Sequence, residues 1–302
     1  MEKEMDLYTD YVLSCFGQVT ATGLSSLLDG SISHDRITRM LLGQTYNSRD
    51  LWQEVNPLVH AHESEDVCLI FDNTIVSKSY KDENEYWEHS KNRNEKGINL
   101  LTAFYHTQIA TESQPLRVLV AFECVKKTVH YCDLKTRKEK RQSSVTKNEM
   151  LRSMVQQAVV NKHLKFRYVL TDSWFASSEN ILFIDRLQKY FMMDFKSNHL
   201  CMFSTEDRNK GQWISIDKLQ LQPEQPVKVW IKDLEIAIIL CKFVFTNRYG
   251  STGEMYLVSN DVELSAKKFR TLYKERWSVE EYHKSLKQNA SLSKSSTRTV
   301  TT

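Results

Sequence analysis

Two apolar stretches in the chain lead into an aspartate. Val67-Cys-Leu-Ile-Phe71 runs into Asp72-Asn-Thr74, and Phe166-Arg-Tyr-Val-Leu-Thr171 runs into Asp172-Ser-Trp174. The continuous first run predicts a central strand buried on both faces, the second repeats the pattern of an apolar strand, and each has its aspartate at or near the end. Ile98–His106 and Leu116–Val125 are rich in β-branched and aromatic residues and predict two more strands. With the first run they make an antiparallel meander. Helical spacing follows from Asn148 to about Lys162 and from Ser178 to about Tyr190, and Phe191–Phe195 predicts a fifth strand. Val227–Phe245 alternates like paired strands, Asn247–Gly253 has the residues of a hairpin turn, and Glu254–Ser259 completes the hairpin. The last periodic stretch, Tyr273–Lys287, contains no Gly or Pro and predicts a helix.

Residues 1–56 predict short helices. Ala21–Gly30 has the form of a helix stopped by glycine, and Ser33 is placed to cap the next one, which carries Arg36 and Arg39. A helix, a turn and a second helix with two arginines fit a helix-turn-helix reader of DNA, and equally a plain helical hairpin packed on the next domain. The expected division is a helical DNA-binding domain over 1–56, the first part of a catalytic domain over 57–200, a β-rich insertion over 201–262, and a return to the catalytic domain over 263–302.

The order strand-strand-strand-helix-strand-helix-strand is that of an RNase-H-like fold, so the fold class expected is α/β, a mixed sheet flanked by helices. In that order the first and fourth strands are neighbours. Asp72 and Asp172 then meet although 100 positions separate them. On the final helix, Tyr273, Arg276, Glu280, Lys284 and Lys287 fall within roughly 80° of one another. A mixed-charge face is ordinarily solvated and held by spaced ion pairs. Two strand-end aspartates elsewhere in the chain give Glu280 a second use. Three gathered carboxylates repel unless cations neutralise them. Hard oxygen donors select magnesium or manganese, and two such ions can hold the attacking and leaving oxygens of a phosphodiester substitution.

Composition narrows the class only slightly. The chain has 302 residues, 41% of them hydrophobic, enough for a sizeable core, and a formal net charge of +3 too small to argue for a partner. Six cysteines form no C-x-x-C pair, and Cys68, Cys124 and Cys241 lie in apolar runs, as small core residues do. His60, His62 and His283 are expected at the surface or behind the ligands rather than on a metal. No signal peptide or membrane span is predicted. A soluble protein of a reducing compartment follows, and no membrane partner. A polar, charged segment, Lys78–Lys96, with Tyr86, Trp87, His89, Lys91 and Arg93, follows the first strand. The basic stretch from Lys126 to Arg141 has the character of a solvated loop that could rest against phosphates.

Tyr273, Arg276, Glu280 and Lys287 reproduce a Y-(2)-R-(3)-E-(6)-K spacing, and with it the chain resembles the DDE transposases of bacterial insertion sequences. The Phe-Asp-Asn-Thr and Leu-Thr-Asp-Ser-Trp contexts and the β-rich insertion before the signature helix strengthen the resemblance, which covers nearly the whole chain. It implies that Asp72, Asp172 and Glu280 are catalytic and bind two Mg2+ or Mn2+ ions. Tyr273, Arg276 and Lys287, with Lys284 on the same face, would hold the phosphate backbone. It further implies binding to terminal inverted repeats and target DNA, cutting and joining of ends with a possible hairpin intermediate, a homodimer assembled on DNA, and a bacterial, nucleoid-associated location in the cytosol. A flipped base would stack on Trp277, Trp213 or Trp230. Family members usually continue into a further helical region, whereas this chain ends 15 residues after Lys287 in a polar tail, so a truncated copy is expected. The rival readings are a catalytically silent DNA-binding remnant and a metal-dependent nuclease on the same fold.

Overall fold

The computed structural model describes residues 2–15, 17–43, 46–77, 85–88, 92–109, 114–234, 236–246 and 250–288. Most of the polar segment 78–91, the turn residues Asn247–Tyr249 and the tail 289–302 lie outside the described residues.

In chain order the elements are α1 (Glu2–Ser14), α2 (Ala21–Leu27), α3 (His34–Leu42), α4 (Ser48–Ala61), β1 (Cys68–Ser77), β2 (Glu85–Glu88), β3 (Arg93–Thr107), β4 (Leu116–Cys124), β5 (Val129–Cys132), β6 (Glu139–Gln142), α5 (Lys147–Val160) and β7 (Tyr168–Thr171). They continue with α6 (Ser178–Arg186), β8 (Tyr190–Phe195), β9 (Leu200–Met202), α7 (Thr205–Lys210), β10 (Ile214–Ser215), β11 (Val227–Ile231), β12 (Ala237–Thr246), β13 (Thr252–Ser259) and α8 (Ala266–Gln288). Among the described residues the main sheet runs β10-β9-β11-β12-β13-β8-β7-β1-β3-β2, with β4 also on β3.

The meander expected from the first apolar runs is present: β1 pairs antiparallel with β3, and β3 with β4. β7 lies parallel between β1 and β8, giving the RNase-H-like centre. The stretch expected as a β-rich insertion lies in the same sheet, because β13 pairs antiparallel with the outer edge of β8. Both faces of the sheet are covered. Leu69, Phe71, Val169, Phe191 and Met193 point to a core shared with α4, α5 and α6 through Val59, Leu151, Met154 and Ile181. The intervening Cys68, Ile70, Tyr168, Leu170 and Met192 point to the other face, which α8 covers with Phe269, Leu272 and Val279. Burial of each such side chain contributes about 1.5–3 kcal/mol. Burial on two faces is why these strands have no polar alternation.

The N-terminal helices form a small separate cluster around Tyr11, Val19, Leu24 and Ile37. α2 and α3 are joined by a turn in which Asp29 and Gly30 take left-handed φ of 50° and 75°, and the Ser33 side chain caps α3 by accepting from the Arg36 N–H at 3.3 Å. α4 instead sides with the sheet, since Val59 is fully buried in the main core and Trp52 and Val55 pack against it. It continues through Pro57, whose missing N–H is compensated by the Asn56 side-chain amide donating to the carbonyls of Trp52 and Gln53 at 3.0 and 2.9 Å.

Candidate functional site

Strand alternation decides which side chains meet α8. Cys68 and Ile70 face that helix, so Asp72, two residues on, faces it too. The same parity places Asp172 behind Tyr168 and Leu170, and Asp194 behind Met192. Register aligns them across the sheet. Ile70 is paired with Leu170, so Asp72 and Asp172 each lie two residues beyond the last pair of β1 and β7. Asp194 follows Met193, the partner of Thr171, and so lies beside Asp172. Three aspartates therefore stand abreast at one level. Asp72 is not at the end of β1, which continues to Ser77 against β3; it marks the end of the parallel pairing.

α8 begins after Ser265, whose hydroxyl accepts from the Lys268 N–H at 3.3 Å. Its buried stripe is Phe269, Leu272, Arg276, Val279 and His283, a spacing of three and four residues. Arg276 is thus turned toward the sheet, its side chain only 9% exposed. It pairs with Glu280 at 3.5 Å, and its guanidinium carbon lies 5.3 and 5.8 Å from the ring centres of Tyr273 and Trp277. Glu280 is 42% exposed, Lys284 is exposed, and Tyr273 and Lys287 are half-buried. The five residues expected to share one face thus grade from the sheet outward to solvent. Glu281 pairs with Arg117 at 3.4 Å, outside the stripe.

His283, expected at the surface or behind the ligands, lies behind Asp72. It is buried, with Nδ1 3.3 Å from Asp72 Oδ2 and Nε2 2.9 Å from Thr102 Oγ1. The Thr102 hydroxyl donates to the Asp72 main-chain carbonyl at 3.0 Å, so it accepts from the imidazole Nε2–H. Strand and helix together fix the orientation of Asp72. Asp72 Oδ1 also accepts from the Asn73 N–H at 2.9 Å.

Burial raises the pKa of Asp172, the Asp72 charge raises it further, and Arg276, the Trp174 N–H and Lys147 oppose the rise. Burial likewise raises Glu280, with Arg276 lowering it and Asp72 raising it. Asp194 is pushed up to about 6, first by burial and then by Asp172, against Arg276. One guanidinium thus serves three carboxylates, and its Nε has no hydrogen-bond partner among the described residues. Among the described residues no three acidic, thiol or imidazole side chains converge closely enough to surround a metal ion. The donor chemistry nevertheless fits a hard divalent cation: three carboxylates face one another across a sheet–helix cleft, near enough to perturb each other's titration.

Asp194 was legible only as part of an apolar strand, yet it gives a testable consequence. Its raised folded pKa means the protonated form is favoured in the fold. The associated stability is fully present below its unfolded value near 4 and is lost as pH rises through about 6. Asp194→Asn is therefore expected to raise thermal stability at neutral pH, by about 1–3 kcal/mol, and to leave it unchanged near pH 4. Equal melting shifts at both pH values would contradict this.

Two grooves flank Trp277, which is 48% exposed. One, of about 370 Å³, is apolar and lies between α8 and the β12–β13 hairpin, walled by Phe243, Phe245, Met255 and Tyr273. The other, of about 440 Å³, passes Glu280 and carries Arg117, Lys274 and Lys284. Trp213 and Trp230 are half-buried in the β-rich stretch, and Lys228 lies 5.6 Å from the Trp230 ring. Trp174, not among the aromatic candidates from sequence, is 52% exposed two residues after Asp172, its ring 5.4 Å from Lys147 Nζ. On α3, Arg36 pairs with Glu4 and keeps 63% side-chain exposure, while exposed Arg39 donates from Nε to the Asp35 carbonyl at 3.3 Å. No helix among the described residues is long and apolar enough to cross a membrane.

Comparison with protein families matches residues 63–301 to the family described as "Transposase DDE domain". Comparison with curated proteins finds no match.

Proposed function

The chain belongs to the transposase DDE-domain family, enzymes that cut and transfer DNA, and from that premise we propose that it binds the terminal inverted repeats of its own element, cleaves the ends and joins them to target DNA. The observation that carries the site assignment is the shared level and face of Asp72 and Asp172 on adjacent parallel strands beneath the helix bearing Glu280. Family members generally use divalent ions such as Mg2+. Asp72, Asp172 and Glu280 would hold two such ions, which supply Lewis-acid stabilisation of the attacking and leaving oxygens when bound.

The chain's own residues do the rest. His283 and Thr102 keep Asp72 pointed into the cleft. Arg276 balances the carboxylates while they are ionised and, as a proposed contact to the cleaved end, shares its charge with phosphate. Lys284 is proposed to meet the backbone of the same strand along the groove carrying Arg117 and Lys274, with Lys287 and Tyr273 contacting it from the same helix. Trp277 and Trp174, exposed on either side, are proposed stacking surfaces for an unpaired base if cleavage passes through a hairpin. α2 and α3 are proposed to read the repeats through Arg36 and Arg39, with two copies assembled on paired ends.

Magnesium-dependent cleavage of DNA carrying the element's terminal repeats tests the reading. Cutting at the repeat ends supports a transposase; cutting without regard to the repeats supports the nuclease on the same fold. Binding without cutting supports the silent remnant.

The contribution of His283 is separately measurable. A group that orients a ligand typically changes metal affinity or rate by about 10–100-fold. His283→Ala is expected to weaken Mn2+ binding, followed by titration of the free protein, by about tenfold or more, and to slow cleavage at saturating metal. Unchanged Mn2+ affinity would show that Asp72 needs no such support.

A further inference from the structure

Between β4 and α5 the chain leaves the sheet and returns to it. Residues 126–142 carry seven lysines and arginines against two carboxylates. Among the described residues β5 and β6 pair only with each other, and all eight of their residues are exposed. An isolated two-stranded hairpin is marginal in water, so its internal ties matter. Asp133 accepts from the Lys135 and Thr136 N–H groups at 2.9 and 3.0 Å and pairs with Lys140. Glu139 engages His130 at 2.6 Å. Both carboxylates are thereby used in holding the hairpin. Lys135, Arg137 and Lys138 at its tip are exposed and have no ion-pair partner among the described residues. Leu134, next to Lys135, is 92% exposed, as single apolar residues at a hairpin tip commonly are.

Both roots of this arm lie toward the end of the sheet that carries the carboxylates. β4 runs in the same direction as β1, and Phe122 is level with Thr102 and hence with Asp72, so the arm departs just beyond that level. Val125 is buried, donates to the Asn99 carbonyl at 2.9 Å and accepts from the Tyr86 hydroxyl at 2.6 Å. At the other root, the Thr146–Glu149 capping box starts α5 and sets Lys147 near Asp172.

We propose that residues 126–142 are a cationic arm that grips the phosphate backbone of duplex DNA lying across the Asp72–Asp172 edge, with Lys135, Arg137 and Lys138 as the contacts. The inference rests on the DNA-cutting reading. Charge complementarity selects the occupant, since seven cations within seventeen residues suit a polyanion.

The test uses the full chain and a fluorescent DNA duplex of generic sequence. Each neutralised phosphate contact contributes about 0.9 to the slope of log affinity against log salt. Joint replacement Lys135→Gln, Arg137→Gln and Lys138→Gln is therefore expected to lower the slope by about two to three and to weaken binding at least about tenfold, with an unchanged melting temperature. The pair Lys135→Arg and Lys138→Arg should retain wild-type binding. An unchanged slope in the triple variant, with wild-type protein binding normally, overturns the arm alone. Failure of the wild-type chain to bind any duplex overturns the DNA-cutting reading with it. Tighter binding of double-stranded RNA than of DNA by the arm would overturn the choice of occupant.

Discussion

Asp72→Asn, Asp172→Asn and Glu280→Gln are each expected to reduce DNA cleavage by at least about a thousandfold while duplex affinity changes by no more than about twofold. Amides conserve shape but withdraw the charge needed to hold hard divalent ions where charge develops in the reaction. Stability should separate the three variants. Asp172 and Glu280 are held against the cost of burial, so their amides are expected to melt no lower than wild type at neutral pH. Asp72→Asn removes the carboxylate that meets His283 and should melt lower. Single-turnover cleavage together with filter binding measures both effects. Wild-type cleavage by Glu280→Gln would remove Glu280 from the assignment. Glu281 is a poor substitute, because its carboxylate is turned to Arg117.

Arg276→Ala is expected to cost about 2–4 kcal/mol of folding stability as well as activity. The substitution empties a nearly enclosed site and strands three carboxylates without their shared cation. Arg276→Lys should rescue little, because the planar group between Tyr273 and Trp277 is lost. The sign of the pH dependence is fixed by the same geometry. Arg276 lowers the pKa of all three acids, so its loss raises them further, and the penalty exists where they are ionised. The melting difference from wild type should be large at neutral pH and shrink toward pH 4, as Asp194 and its neighbours take up protons. A variant with wild-type stability and a salt slope of DNA binding reduced by about one would instead make Arg276 a phosphate contact alone.

The parts of this site that the sequence revealed are those whose signal is local. The two apolar runs needed no partner to be recognised as buried strands, and the final helix was visible from its lack of Gly and Pro. The helical wheel grouped Arg276 with Glu280 correctly but could not say which side meets the sheet; the answer depends on Phe269, Leu272 and Val279, which complete the buried stripe. Asp194 stayed hidden within an apolar run because only pairing with β7 brings it beside Asp172. The union of β13 with β8 is a contact between distant segments, and nothing in either strand encodes it alone. α6 ends at Arg186, short of the expected Tyr190, because Gln188 takes a left-handed φ of 55°. β5 and β6 are short and exposed on both faces, so no periodic burial distinguished them from a solvated loop.

The central claim is that Asp72, Asp172 and Glu280 form one divalent-metal site. Iron-directed cleavage of the polypeptide tests it most directly: Fe2+ replaces Mg2+ in the full chain, peroxide is added, and the fragments are mapped. The account predicts backbone cuts clustered near residues 72, 172 and 280, suppressed together by excess Mg2+ and all lost in Asp172→Asn. Cuts confined to one of these positions, or three sets that survive Asp172→Asn, would contradict it.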